Sequence, residues 1–80
     1  MNKRNFAYYV MNQLEHRHHD GEAREMIIIW LNDFAQKQEE DSERYGDSSC
    51  SDNADVLRSM RDAYVSDGLK GCRKYLNEIL

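Results

Sequence analysis

The side chains of this sequence best suited to chemistry are three histidines and two cysteines. The histidines fall in one run, Glu15-His16-Arg17-His18-His19-Asp20. On a helix His16 and His19 are three apart and Glu15 and His19 four apart, so they share a face. Two imidazoles and a carboxylate could hold Zn²⁺ and leave one position open. The run lacks a His-Glu-x-x-His pattern, however, and Arg17 stands in its middle. A polar helix end is the plainer reading, because histidine near a helix C-terminus suits the dipole. No metal is expected. A pH-sensitive contact is a third reading, since imidazole titrates near neutrality.

Cys50 and Cys72 match no zinc spacing. Cys72 falls among apolar residues at helical spacing and reads as a small core residue. Cys50 lies in a polar stretch and reads as exposed. Both are expected to be free thiols. Nucleophilic catalysis needs a base and an orienting group beside the thiol in a cleft, and 80 residues leave little room for one. The sequence carries no catalytic motif. The expectation is a protein without enzymatic activity and without a cofactor.

These residues must be positioned by a single small domain covering residues 1–80. The chain has no proline, four glycines and 40% apolar residues, which suits long helices. Phe6, Tyr9, Val10 and Leu14 give one apolar helical face over about residues 5–16, with Asn2 or Asn5 as cap. Asp20-Gly21 reads as a break, with Asp20 capping a second helix. That helix carries Ala23, Met26, Ile27, Trp30, Leu31 and Phe34. Met26 to Leu31 is apolar without interruption, and six successive residues at 100° steps point all round a helix. Such a segment needs cover on every side, either as a central helix or in a homodimer through Met26, Ile28, Ile29 and Trp30. A buried strand is the alternative, because Ile-Ile-Ile-Trp is β-prone. The flanking segments continue a helical period, which favours helix.

Residues from about 38 to 53 hold few apolar side chains, and 46–53 read as a loop, with Ser51 or Asp52 capping the next helix. Val56, Leu57, Met60, Ala63 and Tyr64 then share a face. Asp67-Gly68 marks a stop or a kink, and Leu69, Cys72, Tyr75, Leu76, Ile79 and Leu80 follow. The expected fold is all-α, a small bundle of three to four helices with the second helix central. The longest apolar run is far below the roughly 20 residues of a membrane span. The run after the basic N-terminus is too short for a signal peptide. Two cysteines are few for a secreted scaffold. A cytoplasmic protein is expected.

Charge is unevenly spread. The formal net charge is −4. Residues 20–55 carry eleven acids against Arg24, Lys37 and Arg44, while both flanking segments are mildly basic. The acids concentrate at Glu39, Glu40, Asp41 and Glu43, beside Tyr45. One reading is a solvated stretch that keeps the protein soluble. The functional reading is a partner-binding surface formed by Glu39, Glu40, Asp41, Glu43 and Tyr45. It would dock on a basic protein surface, of the kind that is often a nucleic-acid site, and inhibit it by competition. By analogy of size and charge alone, small acidic helical proteins of this kind include phage-encoded inhibitors of host defence. The alternative is a small helix-turn-helix-like DNA-binding regulator using Arg58, Arg61, Lys70, Arg73 and Lys74 on the last two helices. The net acidity speaks against direct nucleic-acid binding.

Overall fold

In a computed structural model that describes residues 2–80, the chain folds into three helices and a short terminal turn. Helix α1 spans Lys3–His19, α2 spans Arg24–Tyr45 and α3 spans Ser48–Lys74. A π-helical turn, Tyr75–Ile79, ends the fold. The all-α expectation holds.

Helix α1 begins where a side chain can satisfy its first free N–H groups. The Asn2 side chain accepts from the Asn5 backbone N–H at 2.8 Å. Its inward face is Phe6, Ala7, Val10, Met11 and Leu14, all buried. Asp20, expected to cap α2, closes α1 instead: its backbone N–H donates to the His16 carbonyl at 3.0 Å, and the Gly21 N–H donates to the His18 carbonyl at 3.1 Å. Helix α2 starts four residues later at Arg24, and Ala23 offers it no side-chain cap.

Residues 46–53 are not the loop that their composition suggested. Helix α2 runs through the acidic stretch to Tyr45, and α3 starts at Ser48. Only Gly46 and Asp47 connect them. Glu, Gln, Lys and Arg are strong helix formers whether or not they are buried. Asp33–Lys37, Lys37–Asp41 and Glu40–Arg44 are also opposite charges four apart. The cap of α3 is Asp47, not Ser51 or Asp52. Its side chain accepts from the Ser49 N–H at 2.9 Å.

Gly68 supplies the expected kink. Its φ of 66° and ψ of −147° lie in a region that essentially only glycine reaches. The chain then folds back along α3. The Cys72 thiol donates to the Met60 carbonyl at 3.4 Å, although a straight helix would hold these residues ~18 Å apart. Gly71 makes the return possible: a Cβ there would lie 2.5 Å from the Ala63 carbonyl oxygen and 2.9 Å from the Asp67 Cβ.

The core joins the α1 face to Ile27, Leu31 and Ala35 of α2, to Val56, Leu57, Met60 and Tyr64 of α3, and to Cys72 and Leu76. Helix α3 touches every other element, most extensively α2, while α1 and α2 meet along a shorter seam. The central place expected for α2 therefore falls in larger part to α3. Within the apolar run Met26–Leu31, Ile27 and Leu31 are fully buried, Ile28 and Trp30 half-buried, and Met26 and Ile29 exposed. No helix among the described residues is long and apolar enough to cross a membrane.

Candidate functional site

From Gln36 to Asn53 no residue is buried. The end of α2 and the start of α3 thus form a two-helix tip without a core of its own. Gln36 to Tyr45 alone carries it ~14 Å onward at the helical rise. Polar contacts tie the two helices together. The Asn53 side-chain amide donates to Gln38 Oε1 at 3.2 Å, and the Arg58 guanidinium pairs with Glu39 and, at 3.9 Å, with Asp55.

The structure brings the five predicted binding residues together on this tip but does not leave them equivalent. Glu39 is neutralised by Arg58. Glu40 is exposed and accepts from the Gln36 amide at 3.3 Å. Asp41 is half-buried, and Glu43 is exposed. Tyr45 is 70% exposed, among the least covered large side chains. Asp47 and Asp52 extend the set from α3. Glu40, Asp41, Glu43, Asp47 and Asp52 form no ion pair among the described residues. Lys37 and Arg44 share the outer face with Glu40 and Asp41, so this surface is acidic in balance rather than purely anionic. From Glu39 to Asp55 seven acids stand against Arg44 alone.

Cys50 lies on the same tip, half-buried as the third residue of α3. A helix N-terminus ordinarily favours a thiolate. Here partial burial, followed by the Asp47 and Asp41 carboxylates, pushes the thiol above its usual range. Cys72 is buried, and that burial pushes its thiol up to about 11 against the opposing effect of Arg73. Both cysteines are free; Cys72 is buried as its position suggested, whereas Cys50, expected exposed in a loop, is half-buried on α3.

His16, His18 and His19 are exposed at the end of α1. His16 reaches Asp20 only at 4.0 Å. No three His, Cys, Asp or Glu side chains converge on a cation position among the described residues. The residue of that run with a built environment is Arg17. Its guanidinium lies over the Trp30 ring, 4.3 Å from the centroid, and donates to both Glu22 carboxylate oxygens at 3.0 Å. The cluster fastens α1 to α2. Periodicity gives no hint of it, because Arg17 and Trp30 belong to different helices.

The basic residues of the last segment are mostly engaged within the molecule. Arg58 is held by Glu39 and Asp55. Arg61 pairs with Asp62 at 2.9 Å and donates to the Asn32 side chain at 2.8 Å. Arg73 meets Glu15 at 3.5 Å. Lys70 and Lys74 alone of the five form no ion pair. The segment after Gly68 is packed onto α3 through Cys72 and Leu76.

No protein-family model matches the chain, and no curated protein or solved structure does either.

Proposed function

We propose that the protein is a non-enzymatic binding module whose α2–α3 tip docks on a basic protein surface and blocks it. The observation that carries this reading is the division among its acids. Glu15, Glu22, Glu39, Asp55 and Asp62 are matched by the molecule's own arginines. Nine others have no basic partner among the described residues; five of these, Glu40, Asp41, Glu43, Asp47 and Asp52, lie together on one tip, while Glu25, Asp33, Asp67 and Glu78 are spread over the rest of the chain. Carboxylates held on helices and left without intramolecular counter-charge attract a cationic surface over a distance set by the salt concentration. Exposed Tyr45 adds a large amphipathic contact at the edge of the patch. A basic protein groove that ordinarily receives nucleic-acid phosphates fits this chemistry, and occupying it would inhibit by competition.

The test compares the wild type with a triple variant, Glu40→Lys, Asp41→Lys and Glu43→Lys. All three side chains lie outside the core, so the variant should fold, with an unchanged circular-dichroism spectrum. Affinity capture from a cell lysate at low salt should retain basic proteins on the wild type and release them as salt rises. The folded triple variant should retain none of them. Equal capture by wild type and variant would refute the reading. A gel shift with duplex DNA separates the regulator alternative: the tip reading requires no complex at low salt, and a complex sensitive to Lys70 and Lys74 would favour the alternative.

A further inference from the structure

The body of the molecule and its tip are held by different forces. Ala35 is the last buried residue of α2 and Ala54 the first of α3. Residues 36–53 lie between them, and their only apolar side chains are Tyr45 and Cys50. Tyr45 is exposed and Cys50 half-buried. Ordering this segment costs backbone entropy, and almost no buried apolar surface offsets it. Its acids also repel one another. Glu39 and Glu43 are four apart on α2, and Asp47 and Asp52 stand at the start of α3. What joins the two helices here is polar. Among the described residues, Asn53 donates to Gln38 at 3.2 Å and Arg58 pairs with Glu39. Both contacts lie at the base of the tip, beside Ala35 and Ala54. Nearer the Gly46-Asp47 turn, the hydrogen bonds of Glu40 and Asp47 stay within their own helices.

We infer that residues 36–53 open and close as a unit of their own while the three-helix core stays folded, and that the Arg58–Glu39 pair with the Asn53–Gln38 hydrogen bond is the latch. Segments with few buried apolar contacts open at a lower free energy than the core beside them. The core itself is undisturbed by the opening, because Ile27, Leu31, Leu57 and Met60 pack against α1 and one another below Ala35 and Ala54. Closing is not hindered by nucleation either. Both helices run on from the core, so closing lengthens existing helices and starts no new ones. For docking through the tip, a consequence that rests on the reading above, the latch is a regulator. The closed form presents its acids at fixed helical spacing, and the affinity a partner meets falls with the closed fraction.

The experiment is native-state hydrogen exchange of the full chain, without a partner, followed residue by residue by nuclear magnetic resonance over a series of low urea concentrations. The amides of Glu40 to Tyr45 lie inside α2. They should exchange through an opening roughly tenfold or more above that of the Leu31, Leu57 and Met60 amides. Its urea slope should also be smaller, because the slope follows the surface exposed. A double-mutant cycle of Glu39→Gln, Arg58→Gln and the pair together isolates the latch from what each change does alone. The Glu39–Arg58 coupling should appear in the tip amides as about a two- to five-fold change in exchange. Tip amides that share the free energy and urea slope of the core amides overturn the inference. So does a cycle that shows no coupling in the tip amides, because the pair would then not be broken by the opening. With no partner present, a tip that opens as described and yet captures nothing from a lysate removes the docking and leaves the latch standing.

Discussion

Arg17 illustrates how much depends on a side chain's partner. In the sequence it interrupts a histidine run and weakens the case for a metal. In the structure it lies over Trp30 and makes two hydrogen bonds to Glu22. About a third of the Arg17 and Glu22 side chains is exposed, so the ion pair itself is screened and contributes little. The stacked, partly desolvated guanidinium contributes more. Arg17→Ala should therefore cost about 1–2 kcal/mol in urea unfolding. Trp30 is the only tryptophan, so its emission should change in the folded variant. An unchanged midpoint and an unchanged emission would mean that the stack fastens nothing.

At the scale of elements, two glycines decide how the segment from Gly68 to Leu80 packs. Gly68 takes a backbone conformation that turns α3 back on itself. Gly71 lets the returning segment approach the Ala63 carbonyl. The clash that a methyl group would make there is with backbone, which cannot rotate away. Gly71→Ala should destabilise by roughly 1–3 kcal/mol despite alanine's better helix propensity. Thermal melting checks the sign: a raised melting temperature would show that the return segment does not pack as tightly as described. The Gly68 break is legible in the sequence because Asp-Gly inside an otherwise helical pattern is a breaker signal. The need at Gly71 is not, because it arises from a contact eight residues away that exists only once the chain has turned.

At the scale of the whole molecule, one charge of the tip is placed against the fold. Glu43 lies in the last turns of α2, near the negative end of the helix dipole, and it is four residues from Glu39. Glu43→Lys should relieve both contacts and raise stability by about 0.5–1 kcal/mol at low salt, with the gain shrinking as salt is added. The same change should weaken the docking proposed for the tip. A variant that melts lower than wild type would remove the idea that this charge is retained at a cost to the fold.

Tyr9, counted with the α1 face in the sequence, is exposed instead; local pattern determined the helical class, the inward placement of Phe6, Val10 and Leu14 and of Val56, Leu57, Met60 and Tyr64, the break at Gly68 and the burial of Cys72. Each of these is written in residues three or four apart, where propensity and periodicity act within one helix. The helical tip at 38–53 was locally encoded too, but reading it required weighing helix propensity above the absence of apolar residues. Tertiary structure alone decided which acids are neutralised, that α3 holds the larger share of the contacts and that Met26 and Ile29 face outward. Arg58 reaches Glu39 across nineteen residues because the Gly46-Asp47 turn lays α3 against α2. No spacing along the chain carries that, since an ion pair forms between whichever side chains the packed helices bring within reach.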